Sequence, residues 1–242
     1  GKDNDLSGNK ITVVFGKENT LKRTNNTLVS GYLNKVEDGS NNSVFGYLHD
    51  VSGNSHNTSV FGNKNEEYNG LNNIIGGNQQ DVSGAENIFG MGESNKLRSD
   101  KNSGTMGKQN DLNNNKESFV VGLSNTVSND SQSFVMGTSN TTKYNTNNTV
   151  LGNLQDISGG TNLLVSGKSN TVEGGLNNMI TGSSHNVTDC SDVIISGSTN
   201  TVSGSKQSFI NGKQNAVNNV YAGMAYGAIN SLKSSDKSLI GG

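Results

Sequence analysis

Apolar residues are sparse along this chain, but they fall at fixed phases. Val14, Val29, Val44, Val60, Ile75, Val120, Val135, Val150, Val165, Ile180, Ile195 and Ile210 each stand two positions before a glycine. Those glycines return every 15 residues, from Gly1, Gly16, Gly31 and Gly46, then from Gly62 to Gly242, with one longer step between Gly46 and Gly62. A second aliphatic column lies five positions after each glycine, through Leu6, Leu21, Val36, Val51, Val82, Leu97, Leu112, Val127, Ile157, Val172, Val187 and Val202. Glu67 and Thr142 interrupt it. Short β-branched runs between Gly and Asn clusters are strand signals, and the segments are too short for an amphipathic helix. Each repeat is therefore read as two short strands joined by two turns.

A fixed short period over a whole chain predicts one supersecondary unit stacked on copies of itself. The expected fold is all-β, a parallel β-solenoid of about 16 coils of 15 residues in a single domain, 1–242. At strand spacing it would extend over roughly 75–80 Å. The anchor glycine suits a corner that needs positive φ or close backbone approach. A second corner, seven positions on, carries Gly8, Asp38, Gly53, Asn69, Gly84, Asn114, Asn129 and Asn219, types that tolerate the left-handed conformation. Three positions after the glycine stands a polar column including Asn4, Asn19, Asn34, Asn65, Asn95, Asn110, Asn125, Asn140, Asn170, Asn200, Asn215 and Asn230. Strand alternation turns this column inward, where stacked amides can satisfy buried backbone groups.

The two strands differ on their outer faces. Around the glycine the outward positions are apolar, among them Phe15, Phe45, Phe61, Phe89, Phe119, Phe134, Met136, Leu164, Met179, Ile194 and Phe209. On the other strand they are polar: Asp5, Lys35, Asp50, Lys96, Asp111, Thr126, Asp156, Thr171 and Thr201. A strand apolar on both faces and repeated coil after coil would leave a stripe larger than soluble monomers tolerate. Burial against other copies of the chain, and hence an oligomer, is expected, with the apolar residues just named as its interface.

Composition narrows the function classes. Of 242 residues, 29% are hydrophobic, with no Trp and no Pro, a content that sustains only a thin core. A net charge of −2 gives no basis for nucleic-acid or anionic-membrane partners. The single Cys190 rules out an intrachain disulfide framework and a cysteine zinc site. No apolar run approaches a membrane span, and no secretory signal is visible. Both ends fall on anchor glycines, as expected of a fragment cut at repeat boundaries.

Candidate chemistry is thin. His49 and His185 occupy the Asn column, His56 lies in the one-residue insertion as a solvated turn residue, and Cys190 sits in a turn. No Ser-His-Asp order or metal-ligand spacing repeats, so no enzyme activity, cofactor or metal is expected. Local departures from the repeat are better candidates for a protein ligand. One is the segment with Tyr47, His49, His56, Glu66, Glu67 and Tyr68; the other is the basic group Lys96, Arg98 and Lys101.

Segments such as Asn42-Ser43-Val44-Phe45-Gly46, Ser133-Phe134-Val135-Met136-Gly137 and Asn148-Thr149-Val150-Leu151-Gly152 resemble the short repeat of YadA-like heads of trimeric autotransporter adhesins. The resemblance covers the whole chain. It implies a left-handed parallel β-roll, a parallel homotrimer with the glycine-bearing strand near the threefold axis, and display on a bacterial cell surface through a stalk and outer-membrane anchor outside this chain. It also implies a host glycoprotein, matrix protein or bacterial surface component as partner. Two features depart from the family: the period is a little longer, and the residues that the resemblance would place toward the threefold axis are often large, as at Phe45 and Phe134. Two alternatives stand beside the adhesin head. A carbohydrate-active β-helix enzyme would have longer coils and a catalytic loop. An ice-binding rod would want a regular Thr array, whereas the polar outer column mixes Asp, Lys, Thr and Glu.

Overall fold

The computed structural model describes residues 1–242 apart from 205, 219–220, 222, 229–230, 233–238 and 242. Asn219, Asn230 and Gly242 of the expected columns thus lie outside the described residues. Contacts divide the chain into two compact units, Gly1–Leu123 and Ser124–Gly242. All regular structure described is β.

Both units are parallel solenoids with the same coil. In the first, a long strand such as Ile74–Asn78 is followed by a short one, Asp81–Ser83. Among the described residues long strands pair with long and short with short, a coil apart. Ile75 thus faces Val60 on one side and Gly90 on the other, while Val82 faces Glu67 and Leu97. In the second unit the long strand Leu164–Lys168 and the short strand Thr171–Glu173 stack in the same manner. The expected parallel β-solenoid is what the chain forms.

The core is the two aliphatic columns meeting between the sheets. Val29, Val44, Val60, Ile75, Leu97 and Leu112 are fully buried in the first unit, as are Val135, Val150, Ile157, Val165 and Ile180 in the second. The Asn column lies beside them. Asn65 Oδ1 accepts the Gln80 backbone N–H at 2.9 Å, and the Asn95 amide donates to Gln80 Oε1 at 3.1 Å. The same amide donates to Met91 O at 3.0 Å and to Gly107 O at 3.0 Å, closing the turn of its own coil and of the next. Burial without partners would cost each of these polar groups about 1–3 kcal/mol.

Three details depart from the two-strand, two-turn reading. The anchor glycine lies inside the long strand, fourth of five residues in Phe89–Glu93, where it bends the chain at φ +124°. A Cβ on Gly92 would overlap the Gly107 carbonyl oxygen, so the close approach of stacked backbones, as well as φ, selects glycine. A third, one-residue ladder runs between the short and long strands, through Leu71, Glu86, Lys101 and Lys116 in the first unit and Thr146, Thr161 and Leu176 in the second. The extra residue of the longer coil is absorbed where Gly53 and Asn54 both adopt positive φ. His56 is therefore not the insertion. It sits in the third ladder, half-buried, with Nδ1 accepting the Ser40 backbone N–H at 3.1 Å.

Candidate functional site

Solenoid strands present outward side chains as columns, so any site here is a face. The short-strand face differs between the units. In the first it is laced with charge: Lys22 lies 3.4 Å from Glu37, Lys35 lies 3.4 Å from Asp50, and Arg98 Nη2 donates to both Asp111 oxygens at 2.9 and 3.0 Å. Exposed pairs of this kind add little stability and keep the face hydrated.

In the second unit the same face is dominated by hydroxyls. Thr126 pairs in register with Thr141, Asp156 with Thr171, and Asn186 with Thr201. Two residues on, and so on the same side of the sheet, come Ser128, Ser158, Thr188 and Ser203. Lys143, Asp156 and Glu173 are the charges within this field. Beneath it the Asn140 side chain donates to Asn125 Oδ1 at 3.0 Å and to Gly152 O at 3.0 Å, fixing the rise from coil to coil.

The long-strand face is the apolar one. Phe15, Phe45, Phe61, Phe89, Phe134, Met136, Leu164, Met179 and Ile194 are exposed on it, and Phe119 and Phe209 are half-exposed. A further outward column escaped the sequence reading. Asn72, Asn87 and Asn102 adopt positive φ, and the Asn57, Asn72 and Asn87 amides donate to the next Asn Oδ1 at 2.9, 2.9 and 2.8 Å. Asn147, Asn162 and Asn177 continue the pattern in the second unit. The signal, an Asn ten positions after the glycine, was present in the chain.

The expected protein-ligand patches do not form one surface. Glu66 and Tyr68 share the short strand Glu66–Tyr68 and are exposed, with Glu66 between Asp50 and Asp81 in register. Tyr47 is on the other sheet, its ring stacked on Tyr32 at 5.6 Å. Lys96 and Arg98 lie on their own short strand, with Arg98 engaged by Asp111, while Lys101 lies in the third ladder 3.7 Å from Glu86. Two members are corrected outright: His49 and Glu67 are buried, so neither can touch a ligand on the surface.

The interior positions of these residues have electrostatic consequences. His49 replaces an amide of the Asn column: Nε2–H donates to Phe45 O at 3.1 Å and Nδ1 accepts the Asn65 backbone N–H at 3.2 Å. His185 repeats the arrangement with Thr181 O at 3.1 Å and the Asn200 N–H at 3.3 Å. Burial lowers both below the ordinary histidine value, so each is neutral. Glu67 substitutes for an aliphatic core residue. One of its oxygens accepts from the Asn73 amide at 2.8 Å and the other has no hydrogen-bond partner, so burial pushes its carboxyl up to about 8. Asp100 is raised to about 7 and Asp130 is raised, both by burial. Cys190 sits in the turn after the short strand Asn186–Thr188 and is buried there, its Sγ 3.0 Å from Thr188 O. Among the described residues no group of three His, Cys, Asp or Glu side chains could hold a metal ion.

With this geometry in hand, comparison with known proteins corrects the expected resemblance. The family model that matches is the grass antifreeze beta roll, over residues 1–90. It points to an ice-binding β-roll and away from the head of a trimeric autotransporter adhesin. The Asn-Ser-Val-Phe-Gly segments encode the coil, which unrelated functions share. Of the readings weighed on the sequence, the ice-binding one is the one this match backs. No curated protein matches the chain.

Proposed function

We propose that this chain binds ice, and that the short-strand face of the second unit makes the contact. The observation that carries the reading is the hydroxyl field on that face, Thr126, Thr141, Thr171 and Thr201 with Ser128, Ser158, Thr188 and Ser203, on strands held in strict parallel register. The mixed outer column that argued against ice on the sequence divides by unit: charge in the first, hydroxyls in the second.

The physical case rests on repetition. Each Thr offers a methyl group and a hydroxyl, and parallel strands repeat them at about 4.8 Å, a spacing commensurate with the rows of oxygens on an ice surface. A single such contact is weak. A rigid array engages many at once, so once one is made the rest follow at high effective concentration. Rigidity comes from the buried amide ladder, which prevents the coils from sliding. Bulky, charged or mobile side chains would spoil the fit, and the first unit's short strands carry several. The antifreeze match spans residues 1–90, inside the first unit, and supports the reading through the coil plan that both units share. No catalysis belongs to this function: the family matched is one of antifreeze proteins.

Partition into a slowly growing ice hemisphere tests the proposal. The labelled chain enters the ice, and the variant carrying Thr141→Lys, Thr171→Lys and Thr201→Lys is left in the liquid, while Thr20→Lys on the first unit's charged face enters like the parent. Equal incorporation of the triple variant would overturn the assignment of this face.

A further inference from the structure

The long-strand face has no role in that reading, and it exposes a column of large apolar side chains to water. In the first unit, Val13, Phe15, Phe45, Phe61, Ile74 and Met106 remain between 39% and 60% exposed although they project from one regular sheet. Large apolar side chains of this kind carry about 150–250 Å² each when aromatic, so at such exposure the stripe leaves roughly 500–600 Å² in water. That already reaches the upper end for the largest apolar patch of a soluble monomer, about 300–600 Å². The second unit has a stripe of the same make, with Phe134, Met136, Leu164, Met179 and Ile194 exposed. At the roughly 60% apolar share usual for an interface, the first unit's stripe alone corresponds to about 800–1,000 Å² per partner, the size of a standard stable interface.

The stripe is also indented. At Gly104 the outward side chain is missing between Phe89 and Phe119, which pair with it in register on either side. The result is an open notch of about 370 Å³, floored by Gly104 and walled by the two rings, with Asn87, Asn102 and Glu117 at its rim. A side chain cannot be added from within, because a Cβ on Gly104 would stand 2.7 Å from the Phe119 ring. The part of the notch that the Phe119 ring does not cover is open to an apolar side chain from outside. Met106, two residues away on the same strand and exposed, has the length and flexibility to serve as one on another copy.

We infer that the long-strand face is a self-interface, buried against the same face of a second copy of this chain, with an apolar side chain of that copy seated in the Gly104 notch. A second copy is the fitting occupant on three grounds. The area matches a stable interface. The outward positions one and three residues before the glycine carry no charged residue in the first unit, as a self-complementary core requires, and charge stands at the position after it, as at Lys17, Glu93 and Lys108. The columns of the face also repeat with one period, so two stripes can interleave along their length. The arrangement leaves the short-strand face outward and does not depend on what that face binds.

Sedimentation equilibrium of the intact chain tests this. The parent should sediment at a multiple of 25.4 kDa, and Ile74→Lys/Met106→Lys, which places two charges on the stripe, should sediment at the single-chain mass with an unchanged far-UV circular dichroism spectrum. Glu66→Lys, on the opposite sheet of the same unit, should keep the parent's mass. Val13→Lys is read in place of the double variant if the latter loses its β spectrum. A parent that sediments at 25.4 kDa, or stripe variants that keep the parent's mass, would overturn the inference.

Discussion

Asn34 hangs from Asn19: its backbone N–H and its side-chain amide both donate to Asn19 Oδ1, at 3.1 and 3.0 Å. The same side chain donates to Gly46 O at 2.9 Å, and its own oxygen accepts the His49 N–H at 3.1 Å. One amide thus links three consecutive coils, in a core where aliphatic columns are only one residue wide.

Replacing that amide should be more costly than its size suggests. Asn34→Ala leaves the Gly46 carbonyl and the His49 N–H without their partners inside the core, at about 1–3 kcal/mol each. Urea denaturation should show a loss on the order of 2–4 kcal/mol. The exposed Asn72→Ala, which removes one rung of the outer ladder, should cost well under half of that.

Two glycines with positive φ should respond differently to a methyl group. At Gly92 (φ +124°) a Cβ runs into the carbonyl of Gly107, whereas at Gly84 (φ +60°) the nearest atom is Ser99 Oγ at 3.7 Å. Gly84→Ala should cost only the left-handed backbone term, about 1–2 kcal/mol. Gly92→Ala should forfeit cooperative folding of its unit. Thermal melts of the two variants, followed by circular dichroism, check the contrast.

The buried carboxyls give the chain an unusual pH profile. Glu67 has its folded value raised from 4.5 to about 8, so the folded state binds more protons than the unfolded one between those limits. Its contribution is therefore fully present below about pH 4.5 and lost as the pH rises through about 8. Asp100, raised to about 7, acts in the same direction. His49 and His185, lowered by burial, act in the opposite sense, withdrawing stability as the pH falls below about 6.5. Glu67→Gln should raise the melting temperature at about pH 9 by several degrees and leave it nearly unchanged at about pH 5. A variant equally stabilised at both values would show that Glu67 is not protonated in the fold.

Much of this molecule could be read from residue spacing. The glycine period, the Val29–Val44–Val60 column and the Asn19–Asn34 ladder all appear in the structure as the pattern predicts, because each position permits few residue types. The positions that escaped are those where stacking, and not the side chain, sets the backbone. Leu33, Leu48 and Thr199 hold positive φ without being Gly or Asn. Their N–H groups donate to the preceding coil, as Leu48 does to Tyr32 O at 3.1 Å, so tertiary hydrogen bonding overrides local preference. His49 stands in the inward Asn column and Glu67 in the inward aliphatic column, so the phase of the repeat decides their burial, and a surface patch drawn from nearness in sequence includes them against that phase. The adhesin resemblance failed for a different reason: a segment such as Asn42–Gly46 specifies how a coil closes and carries no information about what the outer columns touch.

Thermal hysteresis of the purified chain tests the central claim most directly. The account predicts a gap between melting and freezing points that grows with protein concentration, accompanied by faceted crystals, and that collapses in the Thr141→Lys/Thr171→Lys/Thr201→Lys variant at unchanged β content. Ice that grows in the chain's presence as it does in buffer, with no gap and no facets, would contradict it.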